Sequence, residues 1–447
     1  MKISVFFLIF VVLCQPILAQ TDATTPLHLL KPNYPVPYGI PKPEEVAAVL
    51  NRVHGYLDSV TPTGFINEKT GEAVKDYSKI DANTILATGD FRIVSYEWGV
   101  TYAGMLLATE ATGDPKFRDY TEKRLAFIAE AASGFKKPTA GYSDWEAKMP
   151  LRNLLFPRAL DDTGAMTAAM IKAKRVGSKA NLQQIIDTGI GHIMTKQYRL
   201  ADGTLARNRP QPNTLWLDDM FMGVPAIAQM GKLTDEKKYY DEACKQVLSF
   251  ARKMFNHEKG VYMHGWVESM TDHPEFRWAR ANGWAFMTEV ELLEVLPENH
   301  PQRPQILQLL REHAKGLASY QSGLGFWHQL LDREDSYLET SATAIYTYAF
   351  ARAINRGWID AKAYGPATLL AWNAVTTKVN TKGQVEGTCV GTGMAFDPAF
   401  YYHRPISPFA AHGYGPVLLA GAEVFSLLKN RKFEINDSSV QVLDSKK

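Results

Sequence analysis

Residues Thr214-Leu215-Trp216-Leu217-Asp218-Asp219-Met220-Phe221-Met222-Gly223 set two adjacent acids inside an apolar, aromatic, helix-like run. A carboxylate in such surroundings must find a partner or take up a proton. A carboxyl with a raised pKa is what a general acid working near neutrality requires. A second island, Ala159-Leu160-Asp161-Asp162-Thr163-Gly164-Ala165-Met166, again places two acids ahead of an apolar stretch, so the two together suggest a paired-carboxylate site. Helix capping is the plainer use of such acids. Around Asp161 and Asp162 the pattern fits a cap and chemistry equally, whereas Asp218 follows Trp216 inside its run, where a cap fits less well.

A third cluster, Phe276-Arg277-Trp278-Ala279-Arg280-Ala281-Asn282-Gly283-Trp284, follows Tyr262-Met263-His264-Gly265-Trp266. Aromatic faces stack on sugar rings, and a guanidinium grips a carboxylate with two hydrogen bonds, so the cluster suits an acidic sugar. Trp278 and Trp284 by themselves read as core aromatics, and His264 as an interior histidine; Arg280 between the tryptophans turns the cluster toward binding. The stretch Thr392-Gly393-Met394-Ala395-Phe396-Asp397-Pro398 through Tyr401-Tyr402-His403-Arg404-Pro405 reads as a loop rimming the same face.

The elements that must position these groups are helical. Apolar residues recur at helical spacing near 44–58, 96–110, 115–133, 161–176, 180–197, 215–231, 235–255, 278–295, 303–320, 338–356, 360–375 and 408–428, which makes six pairs. Residues 106–120 and 227–241 echo each other as helix, turn, helix, with Asp114 and Asp235 at expected N-caps, and 353–360 is a looser copy. Six such hairpins can close into an all-α (α/α)6 toroid over residues 43–430, with inner helices carrying the functional residues at their starts.

The 447 residues are 46% hydrophobic and 21% charged with a net charge of +2, so no strong field attracts nucleic acid or an anionic membrane. Residues 1–19 have the layout of a secretory signal peptide cleaved near Ala19, predicting a secreted or periplasmic protein. Residues 20–42 read as an extended leader and 431–447 as a tail. Cys244 and Cys389 then remain, which permits one disulfide at most. No metal-binding spacing is present and no cofactor is expected.

As a set, the two acid islands, His264-Gly265-Trp266, Trp278-Ala279-Arg280-Ala281-Asn282-Gly283-Trp284 and Glu339-Thr340-Ser341-Ala342-Thr343-Ala344 resemble the unsaturated rhamnogalacturonyl hydrolases of glycoside hydrolase family 105. The resemblance runs from about Glu44 to Leu428, and the unsaturated glucuronyl hydrolases of family 88 are related. It implies a six-hairpin toroid acting without cofactor on oligosaccharides that end in a 4,5-unsaturated uronic acid. One Asp protonates C4 and draws water onto C5, and the hemiketal collapses to release the next sugar. Asp218 matches that residue, and the second acid maps to Asp162 in preference to Asp161. His264, Trp278, Arg280 and Trp284 match residues holding the uronate, Arg280 nearest its carboxylate; Tyr102 is a looser match, and Trp216 and Asp161 border the site.

Arg207 stands where members of the family often carry a His, and with Arg209 it suggests acceptance of an acidic or sulfated neighbouring sugar. Three other readings stay open: an inverting glycosidase using Asp162 and Asp218, a toroid lyase using His264 or Tyr262 beside Arg280, and a glycan-binding module whose acids only cap helices.

Overall fold

The computed structural model describes Leu29 and residues 38–135, 149–436 and 439–443. The signal-peptide reading and most of the leader lie outside them. Twelve long helices organise the described residues: α1 (Pro43–Val60), α2 (Tyr96–Thr112), α3 (Pro115–Ala132), α4 (Leu160–Arg175), α5 (Gln183–Gly191), α6 (Asp218–Thr234), α7 (Lys237–Met254), α8 (Ala279–Val295), α9 (Arg303–Ser319), α10 (Thr340–Asn355), α11 (Ala361–Thr376) and α12 (Tyr414–Asn430). Helices α2, α4, α6, α8, α10 and α12 pack in that order, and α12 returns to α2, closing an inner ring. The outer helices α3, α5, α7, α9 and α11 each lie on the inner helix before them, and α1 lies on α12. The predicted toroid is therefore present, its first and last long helices forming the sixth pair.

The two rings differ in sequence because they differ in solvent. Nearly every residue of α8, α10 and α12 is buried, as expected of helices that are apolar all round. Outer helix α7 instead buries one stripe, with Tyr239, Tyr240, Ala243, Cys244, Val247 and Phe250 inward and its lysines outward. Small residues set how closely the inner helices approach. A Cβ on Gly164 of α4 would lie 1.5 Å from the Met222 carbonyl oxygen of α6, and one on Gly415 of α12 would lie 2.8 Å from the Thr101 nitrogen of α2.

Asp114 and Asp360 cap α3 and α11 through the amides of Lys116 and Lys362. Asp235 does not fill the cap role expected of it. It ends α6 in the left-handed conformation (φ 59°), and Glu236 precedes α7. The expected helix 215–231 also divides: Thr214–Trp216 is a strand and the helix begins at Asp218. The expected tail contains a hairpin, Lys432–Ile435 paired with Val440–Leu443, resting on α11. Cys244 and Cys389 are both free and buried. No described helix is long and apolar enough to cross a membrane.

Candidate active site

The starts of the inner helices converge at one end of the ring, where their dipoles favour negative charge. Tyr96 of α2 meets His412, just ahead of α12, at 2.6 Å, and Glu97 lies 3.5 Å from the same imidazole. A cavity of about 490 Å³ opens there, walled by Tyr96, Glu97, Asp161, Val390 and His412 among others.

The break between strand and helix at Leu217 builds the centre. Thr214–Trp216 pairs antiparallel with Gly265–Val267, Trp216 opposite Gly265, and the Leu217 amide donates to the His264 carbonyl at 2.9 Å. That register sets the buried His264 imidazole beside the first residue of α6. Its Nε2 lies 2.8 Å from Asp218 Oδ2 and its Nδ1 lies 2.7 Å from the Tyr401 hydroxyl. The Trp278 ring covers the imidazole at 4.8 Å. Burial works to raise the Asp218 pKa, but the opposing pull of His264, with help from Arg207, holds the carboxyl below its ordinary range. The raised pKa expected of Asp218 is therefore not found.

Arg207 forms the second cluster. Its backbone brackets Thr214 through two hydrogen bonds, and its guanidinium lies 4.0 Å over the Trp216 ring. Nε and Nη2 hold both oxygens of the buried Asp219 at 2.8 and 2.7 Å, while Nη2 alone also reaches Asp161 at 3.0 and 3.1 Å. One cation thus serves two carboxylates and is committed chiefly to Asp219. Burial, with Asp219 and Asp218 adding to it and Arg207 opposing, pushes Asp161 up to about 6.

Of the acid pairs, Asp161 and Asp218 have the contrasting environments that separate an acid from a base. Asp162 is spent on its own helix: its Oδ2 accepts from the amides of Arg158 and Ala159 at 2.8 and 3.1 Å, which is capping. Arg280 lies beside Trp278 and is buried. It donates to the carbonyls of Cys389 and Val390, both at 2.7 Å, and to Ser341 Oγ. Glu339 accepts from the Cys389 amide at 2.9 Å, so the two side chains fix the loop over the site. Trp284 is buried and stacks on Phe221 at 4.8 Å. Tyr102 is buried, and its hydroxyl is given to the Ile93 carbonyl. Neither ring has a face open to a sugar.

The partners Asp219, Tyr401, Glu339 and the Tyr96–His412 pair were not singled out by type and spacing. Asp219 stood inside the first acid island, Glu339 opened one of the motifs that carry the resemblance and Tyr401 lay inside the predicted rim loop, but only the fold shows what each one touches. Arg207, expected at the sugar-binding face, has its guanidinium on Asp161 and Asp219.

The sequence profile of Glycosyl Hydrolase Family 88 matches residues 66–428. An unsaturated 3S-rhamnoglycuronyl hydrolase of Alteromonas sp. is 30% identical over 214 residues, 47% of this chain and 50% of that one. An unsaturated rhamnogalacturonyl hydrolase of Bacillus subtilis is 26% identical over 54% of this chain and 69% of that one. The chain thus spans about half the length of the first of these relatives. Among solved structures, a Klebsiella pneumoniae protein described as a possible member of the GH105 family superposes with TM-score 0.69 at 23% identity, covering 92% of this chain and 99% of that one. The unsaturated glucuronyl hydrolase of Bacillus sp. GL1 superposes with TM-score 0.57 at 12% identity over 85% and 96%. By the profile that runs across its helical ring, this chain belongs to glycosyl hydrolase family 88.

Proposed function

We propose that this protein hydrolyses oligosaccharides ending in a 4,5-unsaturated uronic acid, by hydrating the C4–C5 double bond. Water supplies a proton to C4 and a hydroxyl to C5; the C5 hemiketal opens to a ketone, leaving C1 as a hemiacetal, which collapses to an aldehyde and releases the next sugar. Family membership and the names of both curated relatives support the reaction class. The observation that carries the mechanism is the split between Asp161, raised to about 6, and Asp218, held ionised by His264. In this reading Asp161 gives the proton to C4. Asp218, with His264 and Tyr401 behind it, takes a proton from the water that reaches C5. Asp162 supports the start of α4, and Arg280 supports the loop at Val390.

The 2.8 Å contact between His264 and Asp218 favours one variant, in which His264 reloads Asp218 and Asp218 donates to C4. Loss of enoate ultraviolet absorbance from lyase-digested pectin and related glycans tests both. Asp218→Asn abolishes turnover in either case. If Asp161 is the donor, the wild-type rate falls above about pH 6 and Asp161→Asn is inactive; an Asp161→Asn protein that keeps its turnover assigns the donor to the Asp218–His264 pair. A wild-type protein that consumes no enoate on any digest overturns the function.

A further inference from the structure

We propose that Arg92 and Phe409 form a subsite for an anionic group, a sulfate ester or a carboxylate, on the sugar next to the unsaturated uronate. The inference rests on the function proposed above. Both residues line the 490 Å³ cavity that Asp161 also lines. The other arginines around the site are already occupied: Arg207 by Asp161 and Asp219, Arg280 by two carbonyls, and Arg404 by Gly391 and Thr392. Arg92 is exposed, and among the described residues it has neither an ion pair nor a hydrogen-bonded side-chain partner. It is also the one Arg or Lys on that wall, which otherwise carries Asp90, Glu97, Asp161 and Asp162. An unpaired guanidinium facing a sugar-sized cavity can hold a sulfate or carboxylate through two parallel hydrogen bonds.

Phe409, 57% exposed, is one of few large apolar side chains that the described surface presents to solvent. It is held out by a constrained backbone: its amide donates to Ser407 Oγ at 3.1 Å, and the Ser407 amide to the Thr388 carbonyl at 2.9 Å. Tyr414 fixes the two residues relative to each other. Its ring packs edge-on against Phe91, the neighbour of Arg92, at 5.0 Å, and its hydroxyl donates to the carbonyl of Pro408, the neighbour of Phe409. Phe91 is further stacked on Trp98 at 5.1 Å. An aromatic face and a guanidinium on one braced frame suit a charged sugar ring, and the bracing reduces the ordering cost of binding.

The experiment compares unsaturated disaccharides whose second sugar is neutral, sulfated or a uronate, reading kcat/KM from enoate loss. Direct calorimetric titration is run in parallel on Asp218→Asn, with and without Arg92→Ala. The ratio of anionic to neutral kcat/KM falls about tenfold or more in Arg92→Ala; whether it falls for the sulfated or the uronate substrate identifies the group. Arg118→Ala, an exposed arginine on outer helix α3, keeps the wild-type ratio, and Arg209→Ala tests the rival arginine that the sequence set beside Arg207. Equal loss on all three substrates in Arg92→Ala, or a ratio that falls only in Arg209→Ala, overturns the proposal. If no disaccharide is turned over, the function fails, and the calorimetric preference for anionic over neutral sugars still decides the subsite.

Discussion

His264 lies 46 residues from Asp218 in sequence, yet its Nε2 sits 2.8 Å from Asp218 Oδ2. The contact is made by a strand pair that ends one residue before the helix. Leu217 is the last residue to bond the His264 strand, and Asp218 is the first of α6. The carboxylate is therefore fixed by backbone at the helix start and by imidazole on its side, and its ionisation follows from both.

Tyr401 completes this arrangement. Its hydroxyl accepts the Ala395 amide and donates to the Ala395 carbonyl, both at 3.1 Å, so it is placed to accept from His264 Nδ1 at 2.7 Å while Nε2 faces Asp218. Tyr401→Phe is expected to lower kcat about tenfold with little change in KM, the value of one buried hydrogen bond. It should also move the 15N signal of His264 Nδ1, which loses its hydrogen-bond partner. An unchanged Nδ1 signal in the variant would remove Tyr401 from this role.

Asp161 makes a prediction about pH. Its folded pKa, raised to about 6, exceeds the unfolded carboxyl value of about 3.9. The folded state therefore binds the extra proton, and stability is lost as pH rises through that window. Asp161→Asn removes the titration. The variant should melt higher than wild type at pH 7 to 8 and show no such gain at pH 4, while being inactive as a proton donor. Equal melting differences at both pH values would mean that Asp161 ionises freely.

Arg207→Met leaves Asp219, only about 1% exposed, as a buried charge without its cation. The expected loss is about 3–5 kcal/mol near neutral pH. It should shrink as the pH falls, because the orphaned carboxyls take up protons. Arg207→Lys should recover part of the loss, since an ammonium supplies charge but not the paired geometry. Thermal melts from pH 5 to 8 read this directly, and a loss independent of pH would show that Arg207 acts by packing on Trp216 alone.

The helical ring was legible because inner and outer helices both repeat apolar residues at helical spacing, and the outer stripes alternate cleanly with lysine and glutamate. The twelve segments were placed well. Their starts were not, because Thr214–Trp216 and Leu338–Glu339 pair as short strands with distant segments and no local pattern announces that pairing. For the same reason the sequence pointed to Asp218 and His264 as separate candidates and to Asp162 over Asp161. The choice between those neighbours depends on which one the Arg158 and Ala159 amides capture and which one Arg207 reaches. Tyr102 and Trp284 have types that bind sugars, but the ring closes over both.

Gly164 ties stability to chemistry. It follows Asp161 by three residues, and its missing Cβ is where α4 meets the Met222 carbonyl of α6, four residues after Asp218. In Gly164→Ala the new Cβ meets backbone, which cannot rotate away as a side chain would, so the helices must part. Overpacking of this kind costs about 1–3 kcal/mol, occasionally more. Parting α4 from α6 also moves Asp161 away from Asp218, and misplacement of about 1 Å can cost about a hundredfold in rate. Activity per folded molecule should therefore fall far more than the melting temperature suggests. Gly113→Ala is the control: its Cβ meets nothing within 4 Å, but its φ of 77° strains an alanine at the end of α2. It should lose stability and keep the rate of its folded fraction. If Gly164→Ala also kept that rate, the spacing of α4 and α6 would not set the spacing of the two carboxylates.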